Sequence, residues 1–198
     1  MKHILVYLSL VAGLLVSCQR TSQFTIEGVV SHAEGETLYL EHTALMQTSV
    51  VDSCVLTAKG DFLLKASAPQ YPDFYRLRIG RNSLILAIDS TEVITITATR
   101  DSLANTLAIE NSDNTLMIAQ LRAMAHAASR EDLREEAKKI IVANPRSLAA
   151  YYAVFMKQNG EYIWNIFDPS DRRMFQAVAT SFHTWMPNYE RTKALYTQ

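Results

Sequence analysis

The chain of 198 residues contains only two cysteines, Cys18 and Cys54. Two cysteines cannot build the framework of several disulfides that small exported domains use in place of a large core. They also do not form a C-x-x-C pair, the dithiol motif of thiol–disulfide oxidoreductases. The sequence therefore offers no pair of neighbouring thiols for redox catalysis.

An excess of charge of either sign is also lacking, because 19 Lys and Arg residues face 20 Asp and Glu residues. Proteins that bind nucleic acids usually carry a basic block or stripe. No such block or charged tail occurs here, so we predict no nucleic-acid partner. The hydrophobic content of 48% is instead typical of a globular protein with a packed core.

The common motifs of catalysis and of metal binding are missing as well. None of the five histidines has the H-E-x-x-H or Cys/His spacing that brings ligands onto one face. There is no G-x-S-x-G, no P-loop and no G-x-G-x-x-G. The sequence therefore predicts no catalytic residue, no cofactor and no metal ligand, and the protein is not expected to be an enzyme.

Two polar clusters could suggest catalysis but have simpler interpretations. Asp168 and Asp171 flank Pro169, and carboxylates are favoured at the start of a helix by its free N–H groups and its dipole. Asp52-Ser53-Cys54 lies within a predicted strand, with no turn to present a nucleophile. Cys54 shares strand parity with Val50 and Leu56, so it is predicted to be a buried structural thiol.

Only one long hydrophobic run is present, Ile4–Val16, and it follows the cationic start Met1-Lys2-His3. It is shorter than the ~20 apolar residues that span a bilayer as a helix, and it fits the hydrophobic region of a secretory signal peptide. The run closes with Leu15-Val16-Ser17-Cys18, which resembles the bacterial lipobox. In a lipobox the cysteine is acylated and becomes the new N-terminus.

We therefore expect residues 1–17 to be a lipoprotein signal peptide, Cys18 to be the lipidation site and residues 18–23 to be a tether. The alternative is an ordinary signal peptide that happens to precede a cysteine. Gln19 is not acidic, and by resemblance to lipoprotein sorting rules this favours the outer membrane, facing the periplasm.

Hydrophobic residues alternate with a period of two from Phe24 to about Ile109. This period is typical of strands with one buried face. The predicted strands are 24–30, 37–42, 50–57, 62–66, 74–79, 83–88, 93–98 and 106–110. Residues 24–110 are therefore predicted to form an antiparallel β domain, either a sandwich or a partly open barrel.

The period becomes helical near Ser112, so residues 111–198 are predicted to form an α-helical segment and the fold class to be α+β. Helices are expected after Ser112, from Ser129 to Asn144, over 145–156, and from Asp168 to Pro187. Six aromatic residues of this half could line a ligand groove, although at helical spacing they more often form a core: Tyr151, Tyr152, Phe155, Tyr162, Trp164 and Phe167.

Several short motifs occur in a recognisable order. They are the lipobox, Phe24-x-Ile26-x-Gly28, Asp52-Ser53 followed by Gly60-x-Phe62, Pro72-x-Phe74-Tyr75, Asn144-Pro145-x-Ser147-x-Ala149-Ala150 and Phe167-x-Pro169. This arrangement resembles a domain of unknown function (DUF4369-like) that is common in lipoproteins of Bacteroidota-like bacteria. In such proteins the domain precedes the thioredoxin domain of TlpA/ResA-like thiol–disulfide oxidoreductases.

The redox activity of those proteins belongs to a C-x-x-C motif in the thioredoxin domain, which this sequence lacks, so their catalytic residues transfer to no position here. We expect a lipid-anchored envelope protein that acts as a non-catalytic binding or positioning module. Its partners would be the membrane, through Cys18, and an envelope protein or a separate thioredoxin-like domain. Two alternatives remain: a truncated or split oxidoreductase, and a carrier with an aromatic pocket between the two halves.

Overall fold

A computed structural model describes residues 22–105 and 108–196. The predicted signal peptide, the lipidation site Cys18 and most of the predicted tether lie outside the described residues. Within those ranges, no helix is both long enough and apolar enough to cross a bilayer.

The N-terminal half consists of eight strands in two sheets. The first sheet has the strand order β4-β1-β7-β8 and the second has the order β3-β2-β5-β6. The strands are β1 (Gln23–Ser31), β2 (Thr37–Thr43), β3 (Thr48–Val55), β4 (Asp61–Ser67), β5 (Asp73–Ile79), β6 (Asn82–Ile88), β7 (Val93–Thr99) and β8 (Ala108–Glu110).

The predicted sandwich is confirmed, because the two sheets face each other and do not close into a barrel. All strand pairs in these sheets are antiparallel except β1 with β7, which is parallel. Alternate residues of each strand point between the sheets, and Phe24, Ile26, Leu40 and Leu77 are fully buried there. Each such side chain contributes about 1.5–3 kcal/mol to stability.

The second sheet is buried on both faces over part of its area. Tyr75, Leu77 and Ile79 of β5 point into the sandwich, whereas Phe74 points the other way into a second core. Ala87 of β6 also belongs to that second core. The helical half therefore packs on the outer face of the second sheet and forms a third layer.

The C-terminal half contains five helices and one small hairpin within the described residues. They are α1 (Asp113–Ala127), α2 (Arg130–Ala143), α3 (Leu148–Val154), the hairpin strands β9 (Lys157–Gln158) and β10 (Glu161–Tyr162), α4 (Pro169–Trp185) and α5 (Glu190–Leu195). The side chains of Ser112, Ser129, Ser147 and Asp168 cap the first four helices by accepting a backbone N–H. The α+β class predicted from the sequence is confirmed.

Three details of the helical half differ from the sequence prediction. The helix expected over 145–156 is shorter, because Ser147 caps it and only Leu148–Val154 are helical. The sequence analysis does not include the hairpin, although its Asn159-Gly160 turn has positive φ at both residues, as a type I′ hairpin turn requires. Helix α5 was also missed, because six residues are too few to show a helical period.

Candidate functional site

A groove of about 530 Å³ lies between the outer face of the second sheet and the helical half. One set of lining side chains is aromatic: Phe74, Tyr151, Tyr152 and Phe155. A second set is cationic: Arg76, Arg122, Lys157 and Arg191. We call this cavity the interlayer groove. Its volume is in the range of sites that bind small molecules in other proteins, ~300–1,000 Å³.

Strand alternation places the floor of the interlayer groove. Phe74 and Arg76 leave the same face of β5, while Ser83 and Ile85 leave the matching face of β6. The helical half provides the opposite wall, with Arg122 from α1 and Tyr151 and Tyr152 from α3. The site therefore exists only because the third layer packs on the sheet.

Two of the four cations already have carboxylate partners. Nη2 of Arg76 lies 2.6 Å from Oε2 of Glu41, and Nε of Arg78 lies 2.7 Å from Oε1 of the same carboxylate. Burial works to raise the pKa of Glu41, but hydrogen bonds from Arg78 and Arg76 outweigh it, so the pKa is lowered. Arg191 pairs with Asp73, and its Nε lies 2.9 Å from Oδ1.

The other two cations have no carboxylate partner within the described residues. Nη1 of Arg122 donates a long hydrogen bond of 3.4 Å to the carbonyl of Ser83. Nζ of Lys157 lies 4.3 Å from the centre of the Tyr162 ring, in a cation–π contact. Both side chains therefore keep most of their capacity to bind an anion.

Arg122 and Lys157 also border a second cavity of about 340 Å³. This cavity shares Tyr152 and Met156 with the interlayer groove as well. Asn159 and Gly160 of the hairpin turn close its other side. The two cations thus stand at the boundary between the two cavities.

Two hydroxyl groups of the interlayer groove are notable. Oγ1 of Thr43 is buried and has no hydrogen-bond partner within the described residues, which is uncommon for a buried polar atom. Burial raises the pKa of Tyr152, although the nearby Arg122 partly offsets this. Tyr152 therefore carries a neutral phenol at physiological pH.

A more apolar hollow of about 380 Å³ adjoins the interlayer groove at Phe155. It is lined by Tyr162, Trp164, Ile166, Phe167, Phe175 and Arg172. Phe167 is 85% exposed and Tyr162 is 51% exposed. Large apolar side chains with this exposure often mark surfaces that contact another molecule.

The six aromatic residues singled out in the sequence therefore serve both roles that were considered. Tyr151 and Trp164 are buried and belong to the helical core. Tyr151, Tyr152 and Phe155 also line the interlayer groove, and the other three line the apolar hollow. The sequence could not divide them, because the groove wall depends on packing against the sheet.

Cys54 is half-buried, not fully buried as predicted. Its side chain still contacts the sandwich core, but β3 is an edge strand of its sheet. A bulge between Leu40 and Glu41 also shifts the register with β3, so Val50 is 54% exposed despite its sequence parity with Cys54. Burial raises the pKa of the Cys54 thiol, and the Asp52 carboxylate adds to the rise.

Asp52 has a structural contact that the sequence did not reveal. Its carboxylate accepts the backbone N–H of Ser53 and that of Lys65, each at 2.8 Å. Lys65 lies on β4, in the other sheet. Asp52 thus joins the edges of the two sheets, and Ser53 is exposed beside it.

The predicted capping role of Asp168 agrees with the geometry, because Oδ1 accepts the Ser170 N–H at 2.7 Å. Asp171 has a second role. Its buried carboxylate lies 2.5 Å from Nη2 of Arg134 and also accepts the N–H of Asn165. The ion pair with Arg134 lowers the pKa of Asp171, although burial opposes it. Neither acid lines a cavity described above.

The histidines take no part in a metal cluster within residues 22–105 and 108–196, where no three His, Cys, Asp or Glu side chains converge. His42 instead donates to Oδ2 of Asp73 at 2.8 Å. The other oxygen of Asp73 accepts from Tyr189 and Arg191, each at 2.9 Å. Arg191 also donates to the carbonyl of Thr43. This cluster fastens α5 to β2 and β5.

Comparisons with known proteins give one weak structural likeness and one family. No curated protein matches the chain. The chain is similar in structure to a 9R-lipoxygenase from Cyanothece PCC8801, with 8% sequence identity and a TM-score of 0.26. The match covers 64% of this chain and 25% of the lipoxygenase chain. Such a score supports no conclusion. Residues 24–118, which contain the sandwich and the start of α1, match the family model described as Domain of unknown function (DUF4369).

Proposed function

We propose that this protein is a lipid-anchored envelope protein that acts as a non-catalytic binding module, with the interlayer groove as its binding site. The observation that carries the proposal is the groove itself, which combines aromatic walls with two cations that lack a carboxylate partner among the described residues. Concave sites with an apolar lining and a few polar groups are the usual form of a ligand site.

The contacts of three arginine-paired acidic side chains argue against an acid–base role for these three residues. Glu41, Asp73 and Asp171 each form a close ion pair with arginine. Burial works to raise the pKa of each acid, but the arginines, preceded at Asp73 by the hydrogen bond from His42, outweigh it and lower the pKa. A general acid or base needs a pKa near the working pH, and these carboxylates are shifted in the opposite direction.

The anchor is proposed from the sequence around Cys18. Acyl chains contribute ~0.8 kcal/mol per buried CH₂, and more than one chain makes membrane attachment stable. Attachment at Cys18 would hold the sandwich close to a membrane surface, because few residues separate Cys18 from β1. Gln19 favours the outer membrane, facing the periplasm.

Replacement of Cys18 by serine is expected to abolish acylation, because serine offers no thiol for the lipid. Cells are grown with an alkyne analogue of palmitate, and the label on the purified protein is compared between wild type and Cys18→Ser. Cys54→Ser is the matched control and should keep full labelling. Equal labelling of Cys18→Ser and wild type would disprove the anchor.

A second candidate function is that the chain belongs to a split or truncated thiol–disulfide oxidoreductase. The exposed apolar hollow around Phe167 favours it, because a neighbouring domain could cover that surface. The test is the DNA immediately downstream of the gene. A reading frame that encodes W-C-x-x-C would support this candidate, and an unrelated gene would weaken it.

The purified protein is expected to show no dithiol-dependent reduction of insulin above the uncatalysed rate. Cys54 is its one thiol after acylation of Cys18, and burial raises the pKa of that thiol, which reduces the reactive thiolate. The assay compares wild type with Cys54→Ser. Turnover that disappears in Cys54→Ser would refute the non-catalytic proposal.

A further inference from the structure

We propose that the ligand of the interlayer groove is a small organic anion, with an aromatic or apolar body and a terminal carboxylate or phosphate held by Arg122 and Lys157. This inference rests on the proposed function, which makes the groove a binding site. It adds the chemical class of the ligand and the residues that recognise it.

The first observation is the local charge. The lining of the interlayer groove contains four cationic side chains and no carboxylate. The whole chain has a formal net charge of −1, so the positive lining is a property of the groove and not of the surface in general. A concave site of one sign raises the local concentration of ions of the opposite sign.

The second observation identifies which cations are available. Arg76 pairs with Glu41, which it shares with Arg78, and Arg191 pairs with Asp73. Among the described residues, Arg122 has its long hydrogen bond to the carbonyl of Ser83 and Lys157 has its contact with the Tyr162 ring, and neither has a carboxylate partner. An anionic group of the ligand that approaches these two side chains does not have to displace an internal carboxylate. No described carboxylate therefore competes with it for Arg122 and Lys157.

The third observation is the position of these cations. Both border the interlayer groove and the adjoining cavity closed by Asn159 and Gly160. Arg122 is partly buried and Lys157 is exposed. An anionic group at this boundary stays near water, while the rest of the ligand contacts Phe74, Tyr151 and Phe155. An acid group at one end and an apolar body at the other match this lining.

The composition of the lining argues against other ligand classes. A metal ion needs several oxygen, nitrogen or sulfur ligands at one point, and the groove lining has no carboxylate, cysteine or histidine. A wholly apolar ligand would remove water from the guanidinium of Arg122 and leave it with only its long hydrogen bond to the Ser83 carbonyl among the described residues, which is costly. An organic anion satisfies both the aromatic walls and the two cations.

The experiment uses three probes with one aromatic body: naphthalene-2-carboxylate, 2-naphthyl phosphate and the neutral naphthalene-2-carboxamide. Binding to the acylated protein in a non-ionic detergent is measured by equilibrium dialysis, with protein-free micelles as the blank. At least one anion is expected to bind with a one-to-one ratio and about tenfold or more tighter than the amide. The stronger of the two anions identifies the acid group as carboxylate or phosphate.

The double variant Arg122→Gln/Lys157→Gln is expected to remove this preference for the anion. The matched control Lys138→Gln/Arg173→Gln removes the same charge from exposed positions on α2 and α4. This control should still bind the anion more tightly than the amide. For wild type, a rise in salt from 50 to 500 mM should weaken binding of the anion and leave the amide unchanged, because salt screens exposed charges. This measurement needs no variant.

Equal binding of all three probes, or equal losses in the two double variants, would overturn the inference while the groove remained a binding site. If none of the probes binds, and native mass spectrometry of protein from the envelope shows no bound small molecule, the inference and the proposed function both fall. An organic anion found by mass spectrometry in wild type but not in Arg122→Gln/Lys157→Gln would support both.

Discussion

Replacement of Gly60 by alanine is expected to lower the free energy of unfolding by at least about 3 kcal/mol, through backbone strain and a steric clash together. Gly60 has φ +76°, which L-residues rarely adopt. A Cβ at this position would lie 2.2 Å from the carbonyl oxygen of Val30. That carbonyl cannot easily move away, because the N–H of Val30 is bonded to the carbonyl of Gly60 at 2.9 Å.

Gly35→Ala is a closely matched control for this prediction. Gly35 has φ +74°, but a Cβ there would meet no atom within 4 Å. The control should therefore show only the conformational cost, about 1–2 kcal/mol. Urea unfolding of wild type and both variants measures the difference. Substitutions without structural consequence change the free energy of unfolding by up to about 0.5 kcal/mol. If the free energy of unfolding of Gly60→Ala lies within that range of the control, the steric explanation is wrong.

The structure also explains why a glycine occupies the last position of the motif Phe24-x-Ile26-x-Gly28. Gly28, in Phe24-x-Ile26-x-Gly28, has φ +144°, and a Cβ there would lie 1.9 Å from the carbonyl oxygen of Ile96. Ile96 lies on β7, the strand that pairs in parallel with β1. The sequence alone could not identify this partner, because the contact depends on how two distant strands pair.

The strands themselves could be predicted because their signal is local. Each strand alternates apolar and polar residues, and all eight predicted strands occur in the structure with bounds shifted by a few residues. Helix starts are local in the same way, and the starts predicted at Ser112, Ser129 and Asp168 are the N-caps of α1, α2 and α4. Periodicity and capping thus give the elements but not their partners.

The interlayer groove could not be predicted, because its walls come from segments far apart in the chain. Thr43, Phe74, Arg122 and Arg191 all line it, and nothing in the local sequence of any one of them indicates the others. The sequence did suggest an aromatic pocket between the two halves. It could not identify the cations or the floor that the sheet provides.

The DUF4369 match extends beyond the last strand and into α1, and the contacts at the start of α1 give a physical reason. The hydroxyl of Thr115 accepts the N–H of Ala87 at 3.0 Å, and the hydroxyl of Ser112 lies 2.8 Å from it. The first turn of α1 is thus fastened to β6. Ile118 and Leu121 then begin the second core, so the sandwich sets the position of the helical layer.

Replacement of Asp73 by asparagine is expected to cost about 3–5 kcal/mol, because it leaves the buried Arg191 without its counter-ion. The Asp73 carboxylate accepts from the backbone N–H of Phe74 and from the side chains of His42, Tyr189 and Arg191. The Arg191 side chain is only 9% exposed. Its guanidinium also stacks 4.8 Å from the Phe74 ring, so it cannot readily turn out to water.

The prediction has a defined dependence on pH. Burial works to raise the pKa of Asp73, but the hydrogen bond from His42 and the charge of Arg191 outweigh it, so the folded-state pKa is lowered. The stabilisation is therefore fully present above about pH 4, the ordinary value for an aspartate in an unfolded chain. It is lost as the pH falls through the lowered folded-state pKa. Asp73→Asn should lack this part of the acid sensitivity.

Urea unfolding at pH 7 and at pH 3 measures both effects. Glu36→Gln is the surface control, because Glu36 pairs with Arg100 at 2.7 Å while both side chains are more than a third exposed. That variant should lose no more than about 1 kcal/mol. The double variant Asp73→Asn/Arg191→Met should be more stable than Asp73→Asn, since it removes the unpaired charge. If Asp73→Asn lowers the free energy of unfolding by no more than Glu36→Gln does, the ion pair of Asp73 with Arg191 does not hold α5 against the sheet.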